Sequence, residues 1–101
     1  MKTMFTLNTT IFFYNQESGF NFLEESEIKD CDLEKLKALL NSIPGKSFKK
    51  EYIPNKDCIK CSAVIYSSND DFIIEKYFIY NLEDFINKDF LSLFKSIKKQ
   101  I

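Results

Sequence analysis

The chain has 101 residues, of which 45% are hydrophobic and 29% are charged, and these values predict a single globular domain over residues 1–101. His, Trp and Arg are absent and Gly occurs twice. Without His the chain lacks the usual general base and metal ligand, and without Arg it lacks the side chain that binds anions in a bidentate way. Two glycines are too few for a glycine-rich phosphate-binding loop. The net charge of −1 gives no general attraction to nucleic acid or to an anionic membrane.

Alternation of apolar and polar residues predicts a strand over residues 4–14, followed by a turn at 15–19 and a second strand at 20–24. The apolar face of the first strand carries Phe5, Leu7, Ile11 and Phe13. Because two alternating runs are joined by the turn residues "NQESG", we expect a β-hairpin.

An acidic connector over residues 24–30 is predicted to lead into a helix at 31–42. Leucines recur at helical spacing in this helix, and Asp30 or Asp32 can cap its first turn. Pro44 ends the helix, because proline cannot continue the hydrogen-bond ladder.

Three further strands are predicted at 47–53, 58–66 and 72–80, with the first at a sheet edge because it is rich in lysine and precedes a proline. The last of them is apolar on both faces, which indicates a central position or a dimer surface. Asn81 is predicted to cap a final helix, with Asp84 placed to answer it. The buried stripe of that helix is expected to comprise Leu82, Phe85, Ile86, Phe90, Leu93, Phe94 and Ile97.

The predicted fold class is therefore α+β: a mainly antiparallel five-stranded sheet with two helices, in the order ββ-α-βββ-α. This order of elements resembles the longin and profilin-like arrangements, in which a five-stranded sheet carries helices on its faces. The resemblance lies in the order of elements alone, since no motif accompanies it.

Cys58 and Cys61 form a C-x-x-C pattern, which is typical of dithiol and zinc sites. On a strand, however, residues i and i+3 point to opposite faces, so the two thiols could not easily share a metal or a disulfide. We interpret the pair as structural cysteines at the start of a strand, with a metal or redox site as the weaker alternative. The odd number of cysteines favours a reducing compartment and a cytoplasmic protein.

The segment 24–34 contains six acidic residues against Lys29 alone, a local net charge of −5. One interpretation is a solvated loop and helix start, where the helix dipole favours acids. The other is a negative surface that steers and docks a basic partner. The predicted partner-binding residues are Glu24, Glu25, Glu27, Asp30, Asp32 and Glu34.

Two weaker patterns indicate other functions. The triplet "EIK" at 27–29 matches the end of a metal-dependent nuclease pattern, but it falls in the predicted connector and lacks an upstream carboxylate at a fitting distance. Residues 46–60 alternate lysines with Phe48 and Tyr52, as in single-strand nucleic-acid binding, although the chain is acidic overall.

The leading hypothesis is a non-catalytic protein-binding protein, specifically an inhibitor such as an immunity protein, antitoxin or anti-defence factor that blocks a basic, nuclease-like partner. The residue usage is typical of AT-rich bacterial or phage genes. We expect no catalytic residue, metal, cofactor, direct nucleic-acid contact or membrane contact. The alternative is a homo-oligomeric adaptor or scaffold module, with a homodimer formed along residues 72–80.

Overall fold

The alternating segments of the chain form a five-stranded antiparallel sheet. The computed structural model describes residues 3–69 and 71–87, except for the side chains of Phe72 and Asn87. The elements are β1 (Phe5–Asn15), β2 (Gly19–Cys31), α1 (Leu33–Ser42), β3 (Ser47–Phe48), β4 (Cys58–Ser67), β5 (Phe72–Tyr80) and α2 (Leu82–Asn87). The strand order is β2-β1-β4-β5-β3, and the predicted α+β class and order of elements are confirmed.

The core lies on one face of the sheet, which we call the helix face. Because strand side chains alternate, the register places apolar residues of neighbouring strands in rows across this face. Leu7 lies opposite Ile65, which in turn lies opposite Ile74. These rows explain why buried residues alternate with less buried ones over residues 7–11 of β1 and 61–67 of β4.

Helix α1 covers the helix face with Leu36, Leu39 and Leu40, all of which are buried. Asp32 takes the N-cap position, where its backbone carbonyl accepts a hydrogen bond from the Leu36 N–H at 3.2 Å and its side chain makes no capping hydrogen bond. This apolar stripe fixes the helix against the sheet, because helix stability in proteins comes mainly from such packing.

The chain leaves α1 through a turn that packs closely against β5. The Tyr80 hydroxyl donates a hydrogen bond to the carbonyl oxygen of Pro44 at 2.6 Å. Gly45 has a φ of 112°, and a Cβ there would lie 2.9 Å from the Tyr80 ring. Glycine is therefore required at this position by both backbone conformation and space.

Helix α2 begins with the predicted capping pair. The Asp84 N–H donates to the Asn81 side-chain oxygen at 2.6 Å, and the Asn81 amide donates to the Asp84 carboxylate at 2.9 Å. Phe85 is buried against the core. The predicted continuation of the buried stripe at Phe90, Leu93, Phe94 and Ile97 lies outside the described residues.

The predicted acidic connector is instead the second half of a long edge strand. β2 continues to Cys31, with register shifts against β1 near Leu23 and near Asp30, and Asp30 has a positive φ of 56°. Charged residues are tolerated there because an edge strand faces solvent. The prediction failed because pairing with β1 decides the conformation, whereas the local sequence lacks apolar alternation.

The predicted strand at 47–53 is also shorter than expected, since β3 ends at Phe48. Residues 49–57 form an irregular segment that begins with a turn in which the Tyr52 N–H donates to the Lys49 carbonyl at 3.1 Å. Within the described ranges, no helix has the length and apolar character needed to cross a bilayer.

Candidate functional site: the back face of the sheet

The sheet has a second face, which we call the back face, on the side opposite α1. It is formed by the alternate side chains of β1, β2, β4 and β5 that point away from the core. Its members include Asn8, Thr10, Phe12, Tyr14, Phe20, Phe22, Glu25, Glu27, Lys60, Ser62, Val64, Tyr66, Glu75 and Tyr77. The face is polarised, with carboxylates towards one end and Lys60 among aromatic rings towards the other.

Glu25 and Glu27 form the acidic end of the back face, and side chains of β1 and β4 hydrogen-bond to them. The Asn8 amide donates to Glu25 Oε1 at 2.8 Å. The Tyr66 hydroxyl donates to Glu27 Oε1 at 2.8 Å, and Lys29 Nζ lies 3.9 Å from Glu27 Oε2. These contacts position two carboxylates without burying them in the core.

The structure separates the other predicted partner-binding residues from this pair. Glu24 lies opposite Ile11, on the helix-face side of β2, and Asp30 lies at the register shift. Asp32 is the N-cap of α1, and Glu34 lies in its first turn, 3.6 Å from Lys37 Nζ. The six acids therefore follow one strand and one helix start, and two of them share the back face.

Cys58 and Cys61 lie on opposite faces of β4, as predicted, and both are buried free thiols. Burial raises the pKa of Cys61 to about 12. Burial, with a contribution from Asp57, also raises the pKa of Cys58. Both thiols are thus held in the protonated form, which is a poor nucleophile and a poor metal ligand.

The opposite end of the back face contains a lysine that the sequence analysis did not single out. Lys60 is buried near the start of β4, at 9% exposure. Its ammonium lies 4.7 Å from the ring centre of Phe20 and 5.3 Å from that of Tyr77, and it donates to the Lys50 carbonyl oxygen at 3.3 Å.

A cavity of about 330 Å³ opens beside this lysine, lined by Phe12, Phe20, Lys50, Lys60, Ser62 and Tyr77. The segment 49–57 borders it and crosses the end of the sheet, where the Gln16 N–H donates to the Asp57 carboxylate at 3.0 Å. Alternation in β4 could have indicated that Lys60 shares a face with Cys58 and Ser62, but the covering segment could not be predicted.

Across residues 3–69 and 71–87, no group of three His, Cys, Asp or Glu side chains is placed to hold a metal ion.

A scan against protein-family models, a search of curated proteins and a search of solved structures each found no match.

Proposed function

We propose that this chain is a non-catalytic protein-binding protein that docks a basic protein surface on the acidic end of its back face. In the specific form of the proposal, it inhibits a nuclease-like enzyme in the cytoplasm, as an immunity protein, antitoxin or anti-defence factor does. The observation that carries the proposal is the fixed pair of carboxylates at Glu25 and Glu27.

The spacing of this pair suits a site that normally receives phosphates. Residues i and i+2 of a strand lie about 7 Å apart on one face, which is close to the separation of neighbouring phosphates along a nucleic-acid strand. Since each carboxylate is already hydrogen-bonded to a side chain of another strand, little side-chain entropy is lost when a partner's lysines or arginines approach.

Apolar anchors stand next to the acids on the same edge strand. Phe22 is 61% exposed and Leu23 is 49% exposed. Exposed aromatic and aliphatic side chains beside charges are typical of interfaces in which the apolar groups supply affinity and the charges supply steering. β2 thus offers both contributions within a few residues.

The test is a double charge reversal, Glu25→Lys with Glu27→Lys, compared with the matched control Glu17→Lys with Glu83→Lys. The control changes the total charge equally but acts on exposed acids of the β1–β2 turn and of α2, outside the predicted partner-binding residues. We expect the wild type and the control to capture the same basic protein from the native host in stoichiometric amounts. The reversed variant should associate with that protein at least about tenfold more slowly at low salt.

Two results would contradict the proposal: equal association rates for the three proteins, or the absence of any stoichiometric basic partner at low salt. Circular dichroism of each variant establishes that the fold is retained. Nuclease activity of the captured protein, measured with and without the wild-type chain, tests the inhibitor form separately.

A second candidate function is the homo-oligomeric adaptor, and the outer edge of β5 favours it. Among the described residues, β3 is the outer neighbour of β5 and pairs with Tyr77 and Phe78. Ile73, outside this pairing, is 43% exposed. Sedimentation should then show a dimer that Ile73→Lys dissociates, whereas a monomer at all concentrations would contradict this function.

A further inference from the structure

The cavity beside Lys60 has a feature that the protein-binding proposal does not use. A lysine ammonium is costly to bury, and a buried charge is normally paired with an opposite one. Here the described neighbours of the Lys60 ammonium are two aromatic rings and one carbonyl oxygen. The ion pairs formed among residues 3–69 and 71–87 do not include Lys60.

The described lining of the cavity contains two lysines and no carboxylate, which favours an anion. The side chain of Lys50 lines the same cavity and adds a second positive charge. Glu75, the acid closest along the neighbouring strand, is engaged by the Tyr77 hydroxyl, which donates to its Oε2 at 3.1 Å. Burial lowers the pKa of Lys60 and Lys50 acts in the same direction, whereas Cys58 and Glu51 act in the opposite direction. A bound anion would offset the free-energy cost of burying the positive charge of Lys60.

The other residues that line the cavity favour a ligand with a flat, apolar group. Phe12 and Phe20 meet edge to face, with ring centres 6.3 Å apart, and Tyr77 lines the cavity as well. A volume of about 330 Å³ lies at the lower end of the range for small-molecule sites. Ser62 adds a hydroxyl to the lining. Aromatic walls with a few convergent polar groups are typical of such sites.

We propose that this cavity binds a small aromatic anion, either a carboxylate or a phosphate ester, with its ring against Phe12 and Phe20 and its charge on Lys60 and Lys50. The site differs from the acidic docking surface in charge, although the two are adjacent, since Phe12 of the cavity packs against Phe22 of that surface. The chemistry involved is recognition by charge and ring contact, without a covalent step.

The test uses phenylacetate and phenyl phosphate as probes, with phenethylamine as a probe of similar size and opposite charge. Each is titrated into ¹⁵N-labelled full-length protein and followed by amide chemical shifts. We expect saturable shifts at Lys60, Ser62 and Tyr77 with at least one anion and none with the amine. Binding by either anion supports the site, and the tighter of the two identifies the anion class.

Lys60→Met removes the charge but keeps an unbranched apolar stem, so we expect affinity to fall about tenfold or more. Lys56→Met is the matched control, since it removes an exposed charge from the bordering segment that does not line the cavity. Should Lys60→Met fail to fold, Lys50→Met, which alters an exposed residue, should still weaken binding several-fold.

Three outcomes would overturn the proposal. One is the absence of saturable shifts with both anions. Another is equal binding of phenethylamine and the anions, which would indicate a purely apolar cavity. The third is unchanged affinity in a folded Lys60→Met or Lys50→Met variant, which would mean that Lys60 is a structural lysine satisfied by its rings.

Discussion

At the scale of single residues, Cys58 and Cys61 illustrate how strand register decides the chemistry of a motif. Their spacing is that of a dithiol, yet β4 directs one side chain to the back face and the other into the core. Burial raises the pKa of both thiols, so the folded protein keeps them protonated near neutral pH. Their reactivity is therefore a property of the unfolded chain.

We predict that an aromatic disulfide reagent will modify Cys58 and Cys61 slowly in the native protein and quickly in denaturant. The physical reason is that the thiolate is the attacking species and that both groups are buried. Absorbance of the released thiolate measures the rates, and mass spectrometry assigns the sites. Fast native modification of both cysteines, followed by a Cys58–Cys61 disulfide, would contradict this prediction.

The raised pKa of Cys61 also predicts a loss of stability in alkali. Its pKa rises from an ordinary 9.0 to about 12, so above pH 9 the unfolded chain loses a proton that the folded protein retains. The free energy of unfolding should then fall with rising pH, by about 1.4 kcal/mol per pH unit for each such group. Burial raises the pKa of Tyr80 and acts in the same direction.

Urea unfolding between about pH 8 and pH 11 measures this slope. Cys61→Ala should have a shallower slope than the wild type, because one of the linked groups is gone. Leu40→Ala is the control, since it is destabilised without losing a titratable group and should keep the wild-type slope. Equal slopes in all three proteins would show that Cys61 does not contribute.

The positions of Cys58 and Cys61 could be predicted from sequence because they depend on local alternation alone. The surroundings of Lys60 could not. Its burial depends on Phe20 from β2, Tyr77 from β5 and the segment 49–57, which come together only through the tertiary fold. Lysines in a strand normally indicate solvent, and here three distant parts of the chain override that preference.

At the scale of elements, β2 was the hardest to predict and α2 among the easiest. The second half of β2 has the composition of a loop, and it becomes a strand because β1 supplies hydrogen-bond partners along its length. The start of α2 depends on Asn81 and Asp84 alone, three positions apart in the sequence. A structure that depends on neighbouring residues, such as this cap, can be predicted from sequence, whereas a strand that depends on a distant partner strand cannot.

The cap of α2 gives a prediction at this scale. Asn81→Ala should lower the free energy of unfolding by about 1 kcal/mol, because the Asp84 N–H loses its acceptor. Asn81→Asp is the control and should retain most of the stability, since Asp is also a good N-cap. Chemical denaturation measures both variants, and equal losses would show that the cap hydrogen bond is not the cause.

The acids of β2 also protect an edge. An exposed strand edge is a template for pairing with another chain, and charge discourages that pairing. We predict that Glu25→Val with Glu27→Val will promote self-association, because valine favours strands and the repulsion is lost. Light scattering against concentration measures this, with Glu17→Gln and Glu34→Gln as the charge-matched control. Equal scattering from both double variants would contradict the prediction.

At the scale of the whole molecule, the described part of the fold has its helices on one side of the sheet and a polarised surface on the other. The order of elements could be predicted, because apolar residues repeat at different spacings in strands and in helices. The strand order β2-β1-β4-β5-β3 could not, because it depends on which distant strands pair.

The core on the helix face should unfold as one unit with the sheet. Leu40 is fully buried and packs with residues of β1, β4 and β5, so Leu40→Ala should cost about 2–5 kcal/mol. That is a large share of the stability of a small domain. Lys35→Ala, on the exposed side of α1, should be nearly neutral. Coincident far-UV and near-UV transitions would show cooperative unfolding, and separate transitions would contradict it.

The central pairing of β1 with β4 has a consequence for synthesis on the ribosome. β1 can pair with β2 soon after both strands have been synthesised. The other edge of β1 cannot be fully paired until the chain has been extended to Ser67, the residue of β4 that pairs with Phe5. Throughout that interval the nascent hairpin lacks β4, the strand whose residues pair with Leu7 and Ile11. The inner edge of β1 therefore stays unpaired from the synthesis of Cys31 until that of Ser67, and during this interval it can pair with another chain unless it is shielded.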